Sequence, residues 1–203
     1  MRAIFLAAAL AVASPAAAED AHVRALSAGY KAAFLCSGLF NANRPEAEIA
    51  ADDLEGIYPD YQELVRTLPA KVDREAKTVS VAFDDRLPPR IAAWRPVLGC
   101  AQLPIGAEAG SVRLPTVAIR PPDLRARPWP DGDAAATAPA PAGLPRVVAR
   151  AFEPSAYGGK TTAVVVVKDG RIVGERYGDG FSAGTPLLGW SITKSVTAAL
   201  IGT

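Results

Sequence analysis

The spacing of apolar residues changes along the chain, and each change predicts a different element. From about 20 to 35, Val23, Leu26, Tyr30, Ala33 and Phe34 recur at helical spacing and predict an amphipathic helix ending near Gly38. Arg44-Pro45-Glu46 reads as a second helix start, with Ile49, Ala50 and Leu54 as its apolar stripe before Gly56. After Pro69 the period falls to two. Val79, Val81 and Phe83 alternate with smaller or polar residues, and Lys71-Val72-Asp73 lies across Arg74-Glu75-Ala76-Lys77 from them, so a hairpin is expected. Ile91 to Arg95 predicts another short strand, stopped by Pro96.

Between 121 and 145 periodicity is lost. Seven prolines in 25 positions predict an extended linker or wrapping arm without regular secondary structure, with Trp129 docked on a flanking unit. Leu144 to Phe152 predicts a short helix ending at Pro154. The β-branched run Thr162 to Val167 and the stretch Ile172 to Tyr177 flank Lys168-Asp169-Gly170-Arg171, and an Asp-Gly pair between strand patterns is a strong hairpin signal. Gly178, Gly180 and Gly184-Thr185-Pro186 then form a loop leading to Trp190-Ser191. Ile192, Val196, Ala199 and Leu200 predict a buried stripe on a helix that begins at Ser191. The fold class is α+β. A leader at 1–18 precedes an α+β unit at 19–120, the linker at 121–145 and a further unit at 146–203.

Composition sharpens this picture at its start. Arg2, the apolar run Ile4 to Val12 and Ala16-Ala17-Ala18 before Glu19 have the form of a signal peptide cleaved near Ala18. A periplasmic or secreted location follows. The apolar run is too short to span a bilayer. Without Arg2 the chain holds 21 basic and 21 acidic residues, a balance that gives neither a nucleic-acid surface nor a polybasic membrane patch. In an exported chain, the two cysteines, Cys36 and Cys100, read as a disulfide rather than two separate buried thiols. Neither lies in a C-x-x-C pair, so no metal or cofactor is expected, and Asp52, Asp53, Asp84 and Asp85 read as solvated acids.

The single histidine, His22, lies close to the expected mature terminus, which argues against a Ser-His-Asp triad and leaves any nucleophilic serine in need of another base. Ser191 and Lys194 supply a candidate pair. Three residues apart on a helix, they share nearly one face, and a lysine kept neutral by its surroundings can take a serine proton. A bare S-x-x-K is a weak signal, and its bland reading is a capping serine beside a surface lysine.

The context strengthens it. The hairpin at 162–177, the loop to Gly189-Trp190, and Ser191-Ile192-Thr193-Lys194-Ser195-Val196 together resemble the opening of the serine β-lactamase and penicillin-binding-protein superfamily. The class C-like branch, with its DD-peptidases, esterases and 6-aminohexanoate-oligomer hydrolases, is the most similar. The resemblance covers residues from about 146 onward. The disulfide unit and proline-rich arm resemble, more weakly, the N-terminal extension of some exported members.

The resemblance implies the first hairpin and nucleophile helix of a β-lactamase/transpeptidase-like domain. It also implies an acyl-enzyme on Ser191, with Lys194 as proton acceptor, Ser191 N–H as half an oxyanion hole, and Ser195 in helix packing or capping. Substrates would be small esters, amides or β-lactam-like compounds. The family's Tyr-x-Asn element and Lys-Thr-Gly or His-x-Gly strand have no counterpart here; Tyr30, Tyr157 and Tyr177 lack an asparagine two residues on. The expectation is therefore the N-terminal portion of a hydrolase, inactive by itself. A non-catalytic ligand-binding protein on the same scaffold, or an interaction module at 20–120 with a disordered tail, remains open.

Overall fold

The computed structural model describes residues 15–119, 122–134 and 138–202, those from 15 to 19 by backbone alone. Most of the expected leader, residues 1–14, lies outside them. The chain divides into two compact units, 1–117 and 118–203. Both mix helix and strand, and among the described residues no helix is long and apolar enough to cross a membrane.

The first unit is built on helix α1, Pro15–Phe40. It starts earlier than the apolar spacing predicts because Ala16, Ala17 and Ala18 are strong helix formers. Ala18, the expected processing point, thus lies in the first turn. His22 is an exposed residue within the helix rather than part of a fraying end. The helix also passes through Gly38 instead of stopping there. A Cβ on Gly38 would lie 2.5 Å from Ile49 Cδ1, so this glycine lets helix α2, Glu46–Asp52, pack close against α1. In α2, Ile49 is buried as expected but Ala50 faces water.

The chain also forms helix α3, Pro59–Thr67, whose signal is Pro59 at its first turn with Tyr61, Leu64, Val65 and Leu68 at helical spacing. Lys31 of α1 ties down its C-terminal end, donating to the carbonyls of Arg66 at 3.1 Å and Leu68 at 2.8 Å.

An antiparallel meander follows: β1 Ala70–Asp73, β2 Thr78–Val81, β3 Arg90–Arg95 and β4 Gly99–Gln102, in that spatial order. The expected hairpin holds Lys71 opposite Ser80 and Val72 opposite Val79. Val79 and Val81 pack with Leu35, Ile49 and Val65 in one core, while Ile91, Ala93 and Leu103 gather a smaller cluster with Val112 and Leu114. The β4 strand, too short to show alternation, carries Cys100, which is bonded to Cys36 of α1 with Cα atoms 6.1 Å apart.

Two of the acids expected to be solvated are not. Asp52 and Asp53 receive the Arg44 guanidinium at 2.6 and 2.5 Å, with the Arg44 side chain 9 % exposed and that of Asp52 10 %. An α2 that folds back beside its own preceding turn brings these charges together, and a guanidinium matches two carboxylates at once. Asp84 and Asp85 are surface residues, and Asp84 accepts the Arg86 and Leu87 amides, which lower its carboxyl pKa.

The second unit begins in the proline-rich stretch. Among the described residues of 122–143 there is no helix or strand, only an isolated bridge between Pro128 and Ala134. The segment is nonetheless not extended throughout. Arg127 and Asp133 N–H both donate to Leu124 C=O, while Trp129 N–H donates to Ala134 C=O and Ala134 N–H donates to Arg127 C=O, closing a compact loop. Gly132 is required there, since a Cβ would fall 2.3 Å from Leu124 O. Trp129 is half-buried.

Helix α4, Leu144–Arg150, ends before Pro154, which opens the four-residue α5, Pro154–Tyr157. The expected hairpin pairs β5 Ala163–Lys168 with β6 Arg171–Tyr177. Asp169 and Gly170 both have positive φ, 50° and 70°, as a two-residue I′ turn demands. A register shift opposite Val166 and Val167 makes Val173 an extra residue on β6, so Ile172 and Val173 are buried in succession. Helix α4 lies on β6 across Gly174, where a Cβ would approach Leu144 Cδ2 to 3.2 Å.

Candidate active site

The loop after β6 is organised by small residues. Gly178 N–H donates to Thr162 C=O at 2.9 Å, and Ser182 N–H donates to Thr185 Oγ1 while Thr185 N–H returns to Ser182 C=O. Beyond it Ile192 N–H donates to Gly189 C=O at 2.8 Å, closing a four-residue turn with Trp190 and Ser191 at its centre. Trp190 stands at φ 42°, in the left-handed region, a position glycine normally fills. Such a conformation in a bulky residue costs on the order of 1–3 kcal/mol.

Helix α6, Ile192–Ile201, follows, with Ser191 as its N-cap. A capping serine usually has extended backbone angles and accepts an amide from the first turn. Ser191 instead has helical angles, φ −68° and ψ −9°, and its side chain makes no cap hydrogen bond. Its hydroxyl is engaged elsewhere: Lys194 Nζ donates to Ser191 Oγ at 2.7 Å. The turn at Trp190 thus winds Ser191 into the helix early enough to bring the hydroxyl over the lysine one turn on. Both Ser191 and Lys194 are exposed, so the pair stands at the surface of a helix entry.

The expected buried stripe is not found. Ile192 is 69 % exposed and Leu200 72 %, and α6 contains no buried residue. Ser195 is likewise exposed in the helix interior and holds neither a packing nor a capping position. Apolar spacing sets which residues share a face, and the face here has no core to meet.

Two tyrosine hydroxyls have raised pKa values. Tyr177 donates a very short hydrogen bond to Glu175, and burial together with that carboxylate pushes its hydroxyl up to about 12. A tyrosine so held stays protonated near neutrality and is no base there. Tyr30 belongs to the first unit and is also pushed up to about 12, by burial and then by the Asp53 charge. A cleft of about 250 Å³ between α4 and β6, lined by Leu144, Val148, Val173 and Arg176, does not include Ser191 or Lys194. Among the described residues no three His, Cys, Asp or Glu side chains come together to hold a metal. Compared with known proteins, the chain matches no family model, no curated protein and no solved structure.

Proposed function

We propose that this chain is the N-terminal portion of an exported serine hydrolase that opens ester or amide bonds through an acyl-enzyme on Ser191. The supporting observation is the Lys194–Ser191 hydrogen bond of 2.7 Å, made by a helix-entry serine whose hydroxyl is not spent on capping. Ser191 Oγ attacks the carbonyl carbon of the substrate and passes its proton to Lys194. The carbonyl π electrons move onto oxygen, beside the Ser191 N–H. Collapse expels the alcohol or amine, which leaves with the proton held by Lys194, and water then releases the acyl group by the reverse sequence.

A lysine accepts a proton only in its neutral form, which burial and neighbouring positive charge favour. With α6 exposed, the reading requires a cover over its apolar face and a second oxyanion donor in the working enzyme. Loss of one such donor lowers turnover by about 10²–10³. The test is to treat the 203-residue chain, and the product of the complete reading frame, with a fluorophosphonate and with a chromogenic ester. Ser191 should carry the adduct in the longer protein, Ser191→Ala should remove it, and Lys194→Met should slow it about 10³-fold. The 203-residue chain should react at least 10²-fold more slowly. A folded longer protein that stays unlabelled would favour the ligand-binding alternative.

A further inference from the structure

The cleft between α4 and β6 is walled by Leu144 and Val148 from the helix and by Val173 and Gly174 from the strand, and its charged lining residues are Glu175 and Arg176. Successive strand residues point to opposite faces. Glu175 shares its face with Tyr177 and accepts that hydroxyl, so its carboxylate is already engaged. Arg176 lies on the other face with Gly174, where a Cβ would meet Leu144 and Val148 of α4. There its guanidinium stands 4.6 Å from the centre of the Phe152 ring. A guanidinium stacked on a ring keeps its in-plane N–H donors for an acceptor. Among the described residues the Arg176 side chain makes no ion pair or hydrogen bond. Helix α4 adds Arg146 and Arg150 and carries no acidic residue.

We infer that this cleft binds a small amphipathic carboxylate, a straight-chain monocarboxylic acid, with its hydrocarbon chain against Leu144, Val148 and Val173 and its carboxylate on Arg176. At roughly 30 Å³ for a water-sized group, a cleft of about 250 Å³ takes about eight such groups, the size of a medium-length chain. Carboxylate and guanidinium match as planar forks, and the apolar walls favour hydrocarbon over water. Neither Ser191 nor Lys194 lines the cleft, so binding here is separate from acylation.

The experiment follows amide shifts of the 203-residue chain by NMR as sodium octanoate, 1-octanol or octylammonium chloride is added. Octanoate should shift the amides of Val148, Val173, Gly174 and Arg176 with a Kd of about 1 mM. Octanol should bind about tenfold more weakly, and octylammonium should leave these amides in place. Arg176→Gln should lower octanoate affinity about tenfold and leave octanol affinity unchanged. The octanoate–octanol comparison needs no variant and decides the matter even where Arg176→Gln does not fold. Equal binding of octanoate and octanol overturns the inference, as do octanoate shifts confined to the exposed α6. It is equally overturned by a folded Arg176→Gln protein that binds octanoate undiminished, or by cleft amides unmoved at about 20 mM octanoate.

Discussion

The two units solve the same problem with unequal means. In the first, α1 supplies Ala28, Ala32, Leu35, Cys36 and Leu39 to a core closed by α2, α3 and the meander, and a disulfide and a nearly buried Arg44–Asp52–Asp53 cluster reinforce it. In the second, buried apolar side chains among the described residues are Val148, Ile172 and Val173, and the helix that carries Ser191 and Lys194 has none. Catalytic groups need neighbours that hold them in place and exclude water. The Ser191–Lys194 hydrogen bond lies in the unit with little core. Local turn geometry is thus enough to bring Ser191 and Lys194 together, but it does not provide an environment for proton transfer.

The largest expected effect tests the strength of the first unit. Reducing Cys36–Cys100, which spans 64 residues, should lower its unfolding free energy by about 4 kcal/mol on the chain-entropy account. Hydrogen exchange with and without reductant reads this region by region. Amides of α1 and β2–β4 should lose protection while those of β5 and β6 do not. Equal loss in both would break the contrast.

A pair of truncations sharpens it. Ile49→Ala empties a fully buried site and should cost about 3 kcal/mol in urea denaturation, whereas Leu200→Ala on α6 should stay within about 0.5 kcal/mol. A large effect at Leu200 would mean that the helix is covered.

The smallest effect is one of pH. Tyr30 titrates at about 12 in the folded first unit, against an ordinary value of 10.0, because burial and then Asp53 disfavour the phenolate. A folded value raised above the unfolded one gives a contribution fully present below pH 10 and lost as pH rises from 10 towards 12. Tyr30→Phe should therefore flatten the alkaline fall in stability and reduce the late component of the absorbance titration at about 295 nm, the phenolate band, to the part contributed by Tyr177. An unchanged titration would place Tyr30 in water.

By itself the sequence determined the elements whose signals are local. The 162–177 hairpin was legible because Asp169-Gly170 permits the two positive φ angles of its turn, and the 70–81 hairpin because alternation of Val79 and Val81 marks one face. Proximity of Ser191 and Lys194 was legible for the same reason, since helical spacing is a property of the chain alone. Tertiary structure decided the rest. It determined that Gly38 is a crossing point rather than a stop, because Ile49 comes from another helix. It turned Asp52 and Asp53 from surface acids into partners of Arg44. It also left the apolar stripe of α6 in water, since periodicity names a face but burial needs a second surface to meet it.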